Sequence, residues 1–151
     1  MSISLKNALL LLSTVAVLTA CGEPEDTRPG QPVKTRQTAF KEILRVFEPM
    51  GTMLRQDRYE ADKFEALAER LSTLRDAPWP LFAADTHYPP SKGTPAIWQQ
   101  PAVFAERRDA FLRATDLLLA TAHGKDESQV RAAYKTVHET CQDCHKTFKS
   151  R

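Results

Sequence analysis

Proline sets the outline of this chain. Its ten prolines fall at 24–32, 49, 78–80, 89–95 and 101, leaving long stretches in which little interrupts a helix. Within those stretches apolar residues recur every three or four positions, and no period-two alternation competes. Four helices are expected. The first runs over about 33–54, with a stripe of Val33, Phe40, Ile43, Leu44, Phe47, Met50 and Leu54, and Pro49 should kink or strain its last turns. The second, about 61–77, carries Ala61, Phe64, Leu67, Ala68, Leu71 and Leu74 and stops at Pro78 and Pro80. The third, about 101–123, carries Phe104, Phe111, Ala114, Leu117, Leu118 and Thr121, opened by Pro101 and capped by Gly124. The fourth, about 127–149, carries Val130, Ala133, Tyr134, Val137, Cys141, Cys144 and Phe148. Asp126 caps it, and Gln129 holds the capping-box position. Short first–second and third–fourth links favour antiparallel pairs. The fold expected is all-α: an antiparallel four-helix bundle with a long crossover between the second and third helices. That crossover, about 78–100, contains Trp79, Leu81, Phe82, Tyr88, Ile97 and Trp98, which should pack on the bundle end.

The N-terminus carries a separate message. Ala8–Leu18 is an apolar run too short to span a bilayer and suited to a signal-peptide core. It ends in Leu18-Thr19-Ala20-Cys21, which resembles a bacterial lipobox. On that reading residues 1–20 are a lipoprotein signal, Cys21 is acylated and anchors the chain to a membrane on the periplasmic side, residues 21–32 are a flexible tether, and 33–151 form the domain. A net charge of +2 gives no basic field of the kind that nucleic acid needs.

The chemistry lies at the other end, in Thr140-Cys141-Gln142-Asp143-Cys144-His145. On a helix, Cys141 and Cys144 stand three residues apart and present both thiols to one side, with His145 beside them. C-x-x-C-H is the spacing of covalent haem c attachment: two thioether links and an imidazole ligand to iron. Three other readings fit less well. A redox pair belongs at a helix N-terminus, not a C-terminus. A zinc site needs four ligands, and only His138 is near. A disulfide across one helical turn is strained.

Taken together, Arg36-Gln37 followed by Phe40, Phe47 and Met50, then Pro78-Trp79 with Phe82, Pro95-x-Ile97-Trp98, Phe104, Ala110-Phe111 and the terminal CQDCHKTF resemble the cytochrome c prime family of class II bundle cytochromes. The resemblance covers essentially all of 33–151. It implies one haem c on Cys141 and Cys144 with His145 as the iron ligand. It places Arg36 and Gln37 near the haem propionates and Phe40 on the opposite haem face. Low-spin relatives carry a methionine at the Phe40 position, and phenylalanine has no donor atom, so the iron is expected to be five-coordinate. Lys149 stands where high-spin members often have arginine, which keeps charge but loses the rigid fork. Lys146 follows the ligand directly. Family members are often dimers through their first two helices.

The other candidate ligands read as ordinary residues. Met50 and Met53 are packing residues, His87 and His123 surface or capping residues, and His138 lies too far along its own helix to reach the opposite haem face. No serine–histidine–acid arrangement suggests hydrolysis, and no distal acid or base supports turnover. The expected role is therefore non-enzymatic: binding of small neutral gases such as nitric oxide and carbon monoxide, and/or electron carriage to a redox partner protein. A six-coordinate low-spin electron carrier is the alternative.

Overall fold

The structure is a computed structural model and describes residues 24–150. The lipobox and Cys21 lie outside those residues. Four long helices form the bundle: α1 (Pro32–Arg55), α2 (Ala61–Leu74), α4 (Pro101–Gly124) and α5 (Glu127–Phe148), with the one-turn α3 (Ala96–Gln99) in the crossover. Backbones approach closely between α1 and α2, α2 and α4, and α4 and α5. Each neighbour runs antiparallel to the last. Lys125, just past α4, pairs with Asp62 at the start of α2, while Arg75, just past α2, bonds the Leu112 carbonyl in α4. No helix among the described residues is long and apolar enough to cross a membrane.

The core is the set of stripes expected from periodicity. Met50, Phe64, Leu71, Leu118, Val130 and Val137 are fully buried, and the largest of these side chains contribute about 1.5–3 kcal/mol each by leaving water. Two stripe members depart from expectation: Leu44 and Leu117 are 48% and 50% exposed. Each sits at the edge of its helical stripe, where a neighbouring apolar residue (Ile43, Leu118) takes the inward position instead.

α1 continues unbroken through Pro49. Between α1 and α5 the packing is set by side chains. Phe47 and Tyr134 stack with centroids 4.3 Å apart, and the absence of a side chain at Gly51 makes room for the Tyr134 ring.

Helix ends show what local sequence does not specify. α5 opens as expected, with the Asp126 carboxylate accepting the Gln129 N–H at 3.1 Å, but the Gln129 amide returns to that carboxylate and not to the backbone. The α4 cap differs from expectation. Gly124 is helical, and the left-handed residue is Lys125, at φ 55°. Its ammonium reaches Asp62 at 2.6 Å and Glu65 at 3.5 Å, contacts that compensate for an unfavourable backbone.

In the described part of the expected tether, side chains reach α1 and the crossover. Asp26 is 1% exposed. Its carboxylate accepts the N–H groups of Val33 (2.9 Å) and Lys34 (3.1 Å) and the Tyr88 hydroxyl (2.8 Å). It thereby satisfies unpaired donors in the first turn of α1, where Gln31 offers no side-chain cap. Arg28 pairs with Asp85 and lies over the Tyr88 ring. Asp26 and Arg28 thus fasten this segment to α1 and the crossover.

The crossover does pack on the bundle end. Ile97 is buried, and Trp79 and Phe82 join a cluster of rings with Phe40, Phe104 and Phe111. Its later part closes the C-terminus of α5. The Thr94 N–H bonds the Phe148 carbonyl (3.1 Å), the Thr94 hydroxyl bonds the Thr147 carbonyl (2.8 Å), and the Ser150 N–H bonds the Lys92 carbonyl (2.8 Å).

Candidate haem-binding site

At the crossover end, α1, α4, α5 and residues 79–97 enclose a cavity of about 410 Å³. Protein interiors are close-packed, so a void of this size marks a place where side chains stop short of filling the space. α5 contributes Cys141, Cys144 and His145 to its wall. α1 contributes Arg36, Gln37 and Phe40, and the rings of Trp79, Phe82, Phe104, Phe111 and Phe148 add an aromatic lining. Every described residue singled out for the site therefore borders one cavity.

On α5, the i, i+3 spacing sets the two cysteines on the cavity side. Both are half-buried and unpaired. Burial pushes the Cys141 thiol up to about 11, with neighbouring Cys144 adding to the shift. Burial likewise raises Cys144, against the opposing charge of Arg107. Burial thus favours the protonated thiol at both positions, the opposite of the activation that a redox pair needs. Burial, followed by the charge of Lys149, lowers the pKa of His145. Its imidazole is then neutral, with a lone pair free for a metal.

Across the cavity, Phe40 meets Trp79 edge-on at 5.6 Å and Phe82 at 6.3 Å. These contacts fix its ring in the α1 wall. Arg36 is 4% exposed and is held by the crossover: it donates to the Leu81 carbonyl (2.8 Å), the Thr86 hydroxyl (3.0 Å) and the Ser91 hydroxyl (3.0 Å), with its guanidinium over the Phe82 ring. The Gln37 amide donates to the Pro90 carbonyl at 2.9 Å. Both residues thus fasten the crossover over the cavity. No local pattern marks this job of Arg36 and Gln37, or the parts of Thr86 and Ser91, because the partners lie about fifty residues apart, and none marks Asp26, whose Tyr88 partner is 62 residues away.

The remaining candidates lie elsewhere. Met50 is in the core, and Met53 borders a separate open depression with Arg45, Glu48 and Arg58. His87 packs on Trp98, His123 lies beside Glu65 and Glu69, and His138 is outside the cavity wall. Lys146 pairs with Asp143 at 2.7 Å, while Lys149 borders the cavity.

A slot walled by aromatic rings, two protonated thiols on one helical face and one neutral imidazole beside them fit a covalently attached haem. The comparisons agree. The family described as Cytochrome C' matches residues 31–149. Cytochrome c' of Alcaligenes xylosoxydans xylosoxydans is 30% identical over 125 residues, 82% of this chain and 97% of the relative. A nitric oxide complex of a variant of cytochrome c prime from Alcaligenes xylosoxidans superposes with a TM-score of 0.77 at 30% identity, covering 84% of this chain and all of the other. Cytochrome c' from Rubrivivax gelatinosus gives 0.77 at 28% identity, over 83% of this chain and 100% of that one. Cytochrome c prime from Shewanella frigidimarina gives 0.78 at 26%, over 83% and 98%. With a family match over most of its length, a bundle of the same shape and a cavity suited to haem, this chain belongs to the cytochrome c' family of c-type haem proteins.

Proposed function

We propose that Cys141 and Cys144 hold one haem c, that His145 is its axial ligand, and that the chain binds small neutral gases and/or carries electrons on the periplasmic side of a bacterial membrane, to which Cys21 anchors it. The observation that carries the reading is the composition of the cavity wall. His145 stands on the α5 side, and the α1 side offers Phe40, which has no donor atom. Neither methionine capable of ligating iron borders the cavity, which favours five-coordinate iron over the six-coordinate alternative. Haem bound there supplies a redox-active iron with an open coordination position.

The residues of the chain then do the selecting. Phe40, fixed between Trp79 and Phe82, makes the approach to that position apolar and crowded. On α1, Arg36 and Gln37 precede Phe40 in the cavity wall and their hydrogen bonds go to the crossover, while Lys41 follows it at the rim. Phe40 itself offers no donor to a polar ligand, so at that position neutral diatomics are preferred to dioxygen. The wall contains no carboxylate, and His145 is taken up as ligand, so neither a carboxylate nor a free imidazole is there for general acid–base turnover. A nitric oxide complex is described for the related Alcaligenes protein, in line with this preference.

The test is an optical spectrum of the ferrous haem-loaded protein before and after carbon monoxide. A high-spin spectrum that shifts on adding gas is expected. A low-spin spectrum unmoved by gas would identify a hidden sixth ligand and make electron carriage alone the function.

A further inference from the structure

Two features meet at the cavity end of the bundle. The first is the clamp on Asp26. Its carboxylate is tied to the first turn of α1 and to Tyr88 of the crossover, the two elements that border the cavity through Arg36, Gln37 and Lys92. Asp26 is five positions after Cys21, a reach of at most about 18 Å. Whatever holds Cys21 therefore lies close to this end.

The second is charge. Lys41, Lys92, Arg107 and Lys149 border the cavity, and no carboxylate does. Among the described residues Lys41, Lys92 and Lys149 make no ion pair, nor does Lys34, one heptad before Lys41 on the same face of α1. Lysines elsewhere are paired: Lys63 with Glu60, Lys125 with Asp62, Lys135 with Glu139. Beside Lys41, the half-exposed Leu44 borders the same opening and offers an apolar contact within the cationic rim.

We propose that this end of the bundle is a membrane-facing surface, with Lys34, Lys41, Lys92 and Lys149 docking on anionic lipid headgroups so that the haem slot opens toward the bilayer. The short reach from Cys21 rests on the lipid-anchor reading above, whereas the surface itself does not. Each cation within a Debye length of an anionic surface adds its own attraction, and a rim of several sets an orientation as well as an affinity. An apolar gas dissolved in the bilayer then meets the slot without first crossing bulk water.

The experiment uses the haem-loaded chain from Gly22 onward, which lacks the acylation site, sedimented with vesicles of phosphatidylglycerol and phosphatidylcholine or of phosphatidylcholine alone. Binding to the anionic vesicles is expected to be at least tenfold tighter and to be lost in high salt. Lys41→Glu with Lys92→Glu is expected to weaken it by roughly tenfold or more, and Lys63→Glu with Lys135→Glu to leave it within about twofold. Unchanged haem spectra and circular dichroism verify folding of each variant. No preference for anionic vesicles, or equal loss from the two pairs, would overturn the proposal. Because this readout does not use gas binding or acylation, it can fail while the functional reading stands, and the reverse.

Discussion

Gly51 is the point at which α1 and α5 are brought together, and Gly51→Ala tests how the slot is made. Within a helix, alanine is favoured over glycine by about 1 kcal/mol. Here a Cβ would overlap the Tyr134 hydroxyl and stand 2.8 Å from Cζ of that ring, well inside ordinary carbon–carbon contact. The nearby Arg55 guanidinium, also at 2.8 Å, is the end of a flexible chain and can move. Tyr134 cannot move freely, because its ring is stacked on Phe47 at 4.3 Å and 12°. Overpacking of this kind costs about 1–3 kcal/mol. With the propensity gain set against it, the net effect should be a loss of up to about 2 kcal/mol. Tyr134→Phe removes the worst overlap and keeps the stack, so the double variant should recover about half of the loss or more, a coupling of about 1 kcal/mol. Chemical denaturation of the haem-loaded protein with matched slopes gives these differences directly. Tyr134 is one heptad before Cys141, so prying α1 from α5 should also perturb the haem spectrum. A Gly51→Ala protein more stable than the parent, or a loss untouched by Tyr134→Phe, would refute the account.

Three further outcomes follow from the site. Phe40→Met places a thioether where the ring now stands and should convert the ferrous spectrum from high to low spin and weaken carbon monoxide binding; an unchanged spectrum would mean that Phe40 does not face the iron. In haem-free chain, Cys141 should resist iodoacetamide at pH 8 and react faster as pH climbs toward its raised pKa of about 11. Since the folded value lies above the ordinary thiol value of 9.0, this thiol's contribution to stability is complete below about pH 9 and fades as pH rises toward 11, as denaturation at pH 8 and 11 would register. At Asp26, burial pushes the carboxyl up, but hydrogen bonds, led by that from the Lys34 N–H, outweigh it and leave the pKa lowered. Its stabilisation is therefore present above the ordinary carboxylate pKa and is lost as pH falls through the lower folded value. Asp26→Ala should lower the melting temperature by roughly 5 °C and speed tryptic cleavage after Arg28; unchanged proteolysis would show that the clamp is not needed to hold the segment.

The sequence by itself determined what depends on near neighbours. Period 3.6 in apolar residues specified α1, α2, α4 and α5 to within a few residues, since a helix buries a face that its own spacing defines. The thiol pair and its histidine were legible for the same reason: their geometry is that of one turn of α5. Tertiary structure decided what depends on distant partners. Asp26, read as part of a polar tether, became the cap of α1 because the crossover delivered Tyr88 to it. Lys125 took the left-handed cap in place of Gly124 because α2 supplied two carboxylates. Arg36 was turned into a clasp on residues 81–91, and the orphan carbonyls of α5 found Thr94. Each of these contacts joins residues 45 or more apart along the chain. Their energy is decided by which helices pack against which, and no local periodicity records that.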